Sequence, residues 1–568
     1  MTDDGLARIA FGATDLYNGA MPPWRRVPDG DQVADAPVDS PGPALLPLPP
    51  RRILWAMLAT GLLLGLAFRL PGIGEPLWED ELFTHALAAA HPFWAIPAVA
   101  AREDIHPPLH HLYMRAWMQL FGYSDLSARS SSLLLAFVGM FVCAWLALRF
   151  WGVQAAWAAV LLLATAPGLS YFSQEVRDRM LVSLLVLAGF AALAAARATR
   201  SLWWAVAYAA AGAGASYTHY VAGPALAFVN LGFLLTMRRT WRSDLRTLVV
   251  GNALVALALL PWLGAFHEQQ RGLAAISGGP TRGASAFAWH TFSWITQEDP
   301  LMAFDSLLRA CGHFNVIAAA GLVVVCAACV LVAIARSSPV ANRGLARAAL
   351  CAALGPPVLM AFLDTLKATG SGGAHYRFLT PLLVLALAAA LTPLQAGWRR
   401  AVLGALILAQ AAALPFNVRK SQAPWDQVAQ WLSHSEAPEA MIVSTHSFGP
   451  YALRHYGHPA PGVDVPYELP GVEPQRAVRG LFPMLPQDGP RLDRVLAGRS
   501  RFWLITPAGD GPLTFAGNPA LQDWLRSRGC RPGPVQVFGT VELRLVTRGL
   551  SPPPVIGPGS QAPGTPSR

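Results

Sequence analysis

Apolar runs of about 17 to 25 residues recur along the chain, near 53–70, 130–149, 153–172, 180–196, 202–217, 221–237, 248–266, 314–335, 346–363, 378–394 and 400–416. Each approaches the roughly 20 residues that an α-helix needs to cross a hydrocarbon core. The pattern predicts an α-helical polytopic membrane protein with about 11 transmembrane helices. Between the runs the polar residues sort into two kinds. Arg51 and Arg52, Arg149, Arg197 and Arg200, the set Arg238, Arg239, Arg242 and Arg246, the set Arg336, Arg343 and Arg347, and Arg399 and Arg400 all fall on one side if the runs alternate in direction. The positive-inside bias assigns that side to the cytoplasm, so the N-terminus is expected inside and the C-terminal region outside. The outer connections are the long loop from Pro71 to Arg129, the turns around Gln174-Glu175 and Thr218-His219-Tyr220, the loop from His267 to His313, and the turn from Asp364 to Arg377. They carry acids, histidines and aromatics instead.

Within the first outer loop, Glu81–Ala90 and Leu109–Phe121 space their apolar residues as helices lying along the membrane surface, with Trp94, Trp117 and Phe121 suited to the interface. From about Trp425 the pattern changes. Helical spacing over Trp425–Leu432 and Leu521–Arg528 is mixed with short strand-like stretches at Ala440–Ser444, Phe502–Thr506 and Val535–Val546. This predicts a small extracytoplasmic α/β domain over 418–550, after a transmembrane domain over 51–417. No glycine-rich phosphate loop marks a nucleotide site there. Residues 1–50, rich in Asp, Pro and Gly and without an apolar core, read as a disordered cytoplasmic leader, and 551–568 as a flexible tail.

Composition agrees. The chain is 54% hydrophobic and 13% charged, against roughly 25% charged for a soluble domain. The net charge of +10 follows from the arginine-rich inner loops, so it does not argue for nucleic acid. Cys326 and Cys329 share CxxC spacing inside an apolar run and read as small buried hydrophobes. A disulfide between Cys311 and Cys530 has only weak support.

Candidate chemistry lies in the outer connections. Trp78-Glu79-Asp80-Glu81 places three adjacent carboxylates beside the bilayer. A solvated acidic loop is one reading. A functional site is the stronger one, because carboxylates at this depth are costly to desolvate. In Asp104-Ile105-His106-Pro107-Pro108 the prolines forbid a helix through that point, so His106 is either part of a plain helix breaker or rigidly presented to a cavity. Gln174-Glu175-Val176-Arg177-Asp178-Arg179 is either a solvated ion-pair group or, beside Tyr171 and Phe172, a phosphate-binding turn in which Arg177 is well suited to bidentate contact. His219 reads more readily as a satisfied interfacial histidine. Arg377, in His375-Tyr376-Arg377, either snorkels or holds a phosphate.

The order W-x-D-E, H-P-P-L, Q-E-x-R, T-H-Y and Y-R-F, over about Pro71 to Leu394, resembles the GT-C fold glycosyltransferases. More narrowly it is similar to the bacterial branch of the dolichyl-phosphate-mannose protein mannosyltransferase (glycosyltransferase 39-like) family, which is related to the aminoarabinose transferases that modify lipid A. The resemblance implies transfer of a sugar from a polyprenyl-phosphate donor to a lipid, glycan or protein acceptor outside the cytoplasm, with inversion, in a bacterial inner membrane. It maps the catalytic acid to Asp80, with Glu81 beside it as a stabiliser of an oxocarbenium-like transition state. His106, Gln174, Glu175, Arg177, His219, Tyr376 and Arg377 become substrate-binding candidates. Asp178-Arg179 and His110-His111 depart from the family's usual residues, which bears on donor and acceptor details. The scheme requires no cofactor or metal, though a divalent ion is compatible with it, and it involves no nucleic acid. The alternative is a transporter or lipid flippase, which would place its ionisable groups nearer the midplane and show repeats. A third reading is a non-catalytic scaffold.

Overall fold

The computed structural model describes residues 45–237, 241–276, 330–336, 342–367, 373–417, 423–446, 448–465, 468–469, 484–509 and 513–549. Its first helix, α1 (Arg51–Arg69), leads into a long loop carrying α2 (Glu79–Ala90), α3 (Ile96–Glu103) and α4 (Leu109–Phe121). The loop helices α2 and α4 match the amphipathic stretches expected there, and the break between α3 and α4 falls at the two prolines. Next come α5 (Asp125–Trp151), α6 (Val153–Thr165), α7 (Pro167–Phe172), α8 (Arg179–Thr199), α9 (Trp203–Thr218) and α10 (Ala222–Leu235). After them follow α11 (Trp241–Leu259), α12 (Leu263–Ile276), α13 (Arg343–Lys367), α14 (Thr380–Leu391) and α15 (Ala396–Asn417).

Among the described residues, four helical stretches are long and apolar enough to cross a membrane: Arg51–Arg69, Asp125–Trp151, Arg179–Thr199 and Trp241–Gln270. Val153–Thr165, Ala222–Leu235 and Tyr376–Leu391 are shorter apolar helices. The chain is therefore a mostly helical membrane protein. The expected run at 314–335 lies outside the described residues except for its last part, as do Cys311, Cys326 and Cys329. The expected run at 153–172 is two helices. Pro167 lacks an N–H, so the chain bends after Ala166 and the carbonyl of Leu163 loses its intrahelical donor. The buried Arg69 guanidinium supplies the missing donors, to the carbonyls of Leu163 (2.8 Å) and Ala164 (2.7 Å).

Small residues let the helices approach closely. A Cβ on Gly232 of α10 would come within 2.8 Å of the Ala348 carbonyl oxygen of α13. Buried polar pairs join helices at depth. Tyr208 donates to Asn230 (2.9 Å), Asn230 donates to Asn252 (2.9 Å), and Arg197 pairs with Asp244 at 2.9 Å.

The C-terminal part holds α16 (Trp425–Ser433), β1 (Met441–Ser444), α17 (Gly449–His455), β2 (Gly462–Asp464), α18 (Gly489–Val495), β3 (Arg501–Pro507), α19 (Pro519–Ser527), β4 (Arg531–Pro532), β5 (Gln536–Phe538) and β6 (Val541–Thr547). The sheet order is β2-β1-β3-β6-β4, with β5 also on β6. The pairs β1–β2 and β1–β3 are parallel, and β6 runs antiparallel to β3, β4 and β5. All four residues of β1 are buried, as expected for a central parallel strand covered on both faces. This α/β part shares a core with the long loop after α1. Leu77, Leu82, Met114 and Val176 pack in one cluster with Trp425, Ile442, Phe448 and Trp503. Polar contacts reinforce the dock. Tyr456 donates to Asp125 (2.7 Å) and accepts from the Leu77 N–H (2.7 Å), and His455 meets Asp125 at 2.7 Å.

Candidate active site

Helix α2 begins at the acidic cluster. Its first turn carries Glu79, Asp80 and Glu81, where the positive end of the helix dipole favours negative charge. The three diverge in surroundings. Glu81 is fully buried and faces Arg129 at the start of α5, also fully buried. Its oxygens accept from Arg129 Nε (3.2 Å) and Nη2 (2.9 Å), from the Trp78 N–H (3.1 Å) and from the Val176 N–H (2.8 Å). Arg129 also donates to the carbonyls of Ile73 (2.9 Å), Pro76 (3.0 Å) and Glu75. With four donors on two oxygens, Glu81 has no face to turn toward a substrate. It is a clamp that ties α2, α5 and the 173–178 turn together. Arg129 escaped the sequence reading. Its signal was an arginine opening an otherwise apolar run, which in a membrane protein calls for a partner.

Asp80 is different. Its side chain is 48% exposed, and Oδ2 lies 3.3 Å from Nη2 of Arg177, which is itself only 12% exposed. Burial would push the Arg177 guanidinium toward neutrality, but the carboxylates of Asp80, Asp178, Asp104 and Glu175 outweigh it and hold its pKa above the usual arginine value. An accessible carboxylate thus sits beside a fixed positive charge. Glu79 reaches toward Nε2 of His446 in the α/β part (3.1 Å). Desolvation, and then repulsion from Asp80, push its carboxyl up to about 7.

The H-P-P segment lies beside the same turn. Asp104 is buried and accepts from the Ile105 N–H (2.6 Å), while Nδ1 of His106 (3.0 Å) and Nε2 of His111 (2.6 Å) lie within hydrogen-bond reach of its oxygens. Burial opposes its ionisation, yet the charges and hydrogen bonds of His106 and His111 hold it far below the usual carboxylate range. Gln269 of α12 fastens this segment by donating to the carbonyls of Ala100 (3.0 Å), Asp104 (3.0 Å) and His106 (3.2 Å). Periodicity gave no hint of Gln269, because the contact is made across distant segments. The His106 ring meets the His219 ring with centroids 4.8 Å apart. His219, at the end of α9, faces Asp178, with Nε2 to Oδ2 at 3.9 Å. His110 is buried, and its pKa is driven down by desolvation to about 3, so it is neutral.

Gln174 is buried, and its amide donates to the carbonyls of Arg69 (2.9 Å) and Pro71 (2.7 Å), tying the turn to the end of α1. Glu175 is buried, and its carbonyl accepts from Ser132 of α5 at 2.5 Å. Tyr376 is buried in the short 3-10 turn ahead of α14, and Arg377 lies half-buried with its guanidinium 5.9 Å from the Phe172 ring centre. Ser183 of α8 donates to the Phe378 carbonyl (2.7 Å), which fixes that turn beside the start of α8. The structure therefore brings all nine expected residues to one end of the helical bundle. Asp80 is the exposed member of its pair with Arg177, while the His106 and His219 rings meet beside Asp178. Glu81 and Gln174 make hydrogen bonds that hold loops together.

The fold has counterparts among solved structures. The apo crystal structure of ArnT from Cupriavidus metallidurans matches with a TM-score of 0.58 at 14% identity, covering 87% of this chain and 98% of that one. The structure of the same protein bound to undecaprenyl phosphate matches with a TM-score of 0.56 at 14% identity, covering 88% and 98%. The family model described as dolichyl-phosphate-mannose-protein mannosyltransferase matches residues 105–264. No curated protein matches the chain in sequence. The fold is therefore shared with the ArnT structures, and residues 105–264 are similar to the mannosyltransferase family model.

Proposed function

We propose that the protein transfers a sugar from a polyprenyl-phosphate donor to an acceptor hydroxyl or phosphate on a lipid, glycan or protein, on the extracytoplasmic side of a bacterial inner membrane. The observation that carries this reading is the Asp80–Arg177 pair, an accessible carboxylate 3.3 Å from a largely buried guanidinium. The acceptor oxygen attacks the anomeric carbon as the bond from that carbon to the phosphate oxygen breaks. Asp80 takes the acceptor's proton, and the polyprenyl phosphate leaves with the bonding electrons. That leaving group needs no strong acid, only a place for its charge. Arg177 and Arg377 serve that purpose, because guanidinium donors match phosphate oxygens in pairs. Direct displacement inverts the anomeric centre.

The neighbour that binds undecaprenyl phosphate supports the donor class through shared fold. A transporter is less well supported, since the polar groups gather at helix ends and in the outer loop. The test is turnover. Purified protein in lipid vesicles is given polyprenyl-phosphate sugars, and released polyprenyl phosphate is counted by mass spectrometry. Asp80→Asn should lower release by about 100-fold or more, the usual contribution of a positioned general base. Near-normal release by a folded Asp80→Asn protein would remove Asp80 from the chemistry. Release by neither protein, with intact sugar lipid moved across the bilayer, would favour a transporter.

A further inference from the structure

His106, Asp178 and His219 come from three separate stretches of chain. One potential ligand atom from each lies within 4.8 Å of the other two, and among the described residues no other such group of histidine, cysteine and carboxylate is found. Asp178 is the informative member. It is 5% exposed, and neither carboxylate oxygen has a hydrogen-bond partner. The nearest cationic nitrogens stand off at 3.8 Å (Arg179 Nε) and 3.9 Å (His219 Nε2). A buried carboxylate in that state lacks the donors that ordinarily offset its desolvation. The spacing leaves its oxygens open on the side where the two imidazoles converge.

We propose that His106, Asp178 and His219 bind one divalent cation of the zinc class, through two imidazole nitrogens and a carboxylate oxygen. The donor set suits zinc. His106 is already oriented for the task. Its Nδ1 faces Asp104 Oδ1 at 3.0 Å, and an ionised Asp104 requires that nitrogen to carry the proton, which leaves the Nε2 lone pair for a metal. This is the carboxylate–histidine–metal relay that fixes a ligating ring's tautomer. Asp104 is held in turn by His111 and the Ile105 N–H. At His219 the Val221 N–H points at Nδ1 (3.1 Å). Ligation through Nε2 moves the ring's proton to Nδ1 and gives up that one neutral hydrogen bond, a small loss beside a metal–ligand bond. Nitrogen and oxygen ligands around tetrahedral zinc stand roughly 3.4 Å apart, so closure needs side-chain movements of about 1 Å and no change of fold. Three protein ligands leave a fourth position open. A role for the ion in steadying a donor phosphate next to Arg177 rests on the function proposed above, whereas its binding does not.

The experiment therefore counts metal and uses no donor. Full-length protein in detergent is stripped with chelator, reloaded with Zn²⁺, desalted and analysed by inductively coupled plasma mass spectrometry. Wild type should retain about one zinc ion per chain. Asp178→Asn and His219→Gln should each lose most of it, while His434→Ala, which changes an exposed histidine just past the end of α16, should keep it. Loading with Co²⁺ gives a second readout: a visible d–d absorption band in wild type that is missing in Asp178→Asn. Circular dichroism and elution volume establish that the variants fold. Undiminished zinc in both folded ligand variants, or wild type that emerges with none, would overturn the assignment. Since zinc retention is scored without sugar transfer, failure of this inference is distinguishable from failure of the glycosyltransferase reading.

Discussion

Replacing Glu81 by alanine should remove a carboxylate that ties three segments together. The side chain accepts four hydrogen bonds, two from Arg129 and one each from the N–H groups of Trp78 and Val176. Both partners of the ion pair are 0% exposed, so no water stands ready to replace the acceptor. Removing one member of a buried pair costs about 3–5 kcal/mol, because the other charge stays behind. Each orphaned N–H adds about 1–3 kcal/mol. Arg129 keeps its backbone acceptors at Ile73, Glu75 and Pro76, which pulls the total toward the lower end. About 4 kcal/mol is the expected loss, a large share of the 5–15 kcal/mol that a folded domain has. Equilibrium unfolding of the detergent-solubilised protein measures it. Glu81→Gln should recover only part, since one amide oxygen cannot take four donors. Glu81→Ala combined with Arg129→Met should be more stable than Glu81→Ala alone, because the stranded charge is gone. A Glu81→Ala protein within about 1 kcal/mol of wild type, or a double variant worse than the single one, would refute the clamp.

Two further outcomes follow from the same geometry. Tyr456→Phe removes the hydroxyl that bridges Asp125 and the Leu77 N–H, so the α/β part should loosen from the first outer loop by about 1–3 kcal/mol. Limited proteolysis between residues 417 and 425 should speed up, and an unchanged cleavage rate would argue that the apolar core alone holds the dock. Glu79 has its carboxyl pushed up to about 7. Between its ordinary value and that one, the folded protein binds more protons than the unfolded chain, so this group's contribution to stability falls as pH rises through the window. Glu79→Gln should flatten the fall between about pH 5 and 8, and an identical pH profile for the two proteins would show that Glu79 does not titrate there.

Much of the scaffold could be read from pattern, because burial in lipid or in a sheet forces periodicity. The α2 and α4 surface helices, the α1, α5 and α8 spans, and the strand–helix alternation after Trp425 all follow from apolar spacing. The division at Ala166–Pro167 was visible as a proline but submerged in a continuous apolar run. For the candidate site, residue type and order were visible along the chain, and the surroundings of each side chain were not. Asp80 and Glu81 are neighbours in sequence, yet a helix turns successive side chains about 100° apart, sending one to solvent and Arg177 and the other into a sealed pocket with Arg129. Only the position of α5 decides which is which. Gln174 satisfies two backbone carbonyls, contacts that arise only where α1 ends against the turn. Asp178 and Gln269 matter through contacts between segments about 40 to 165 residues apart, which local sequence does not encode.

The central claim is that the accessible carboxylate and the phosphate-holding guanidiniums meet on the outer face of the membrane. Cysteine accessibility in intact cells tests it most directly. Single cysteines at Glu75 in the first outer loop and at Gly373 ahead of Tyr376-Arg377 would be challenged with a membrane-impermeant maleimide, with one at Arg200 as the inner-face reference. The account predicts that the first two label in intact cells and the third labels only after permeabilisation. Labelling of the first two from opposite sides would contradict it.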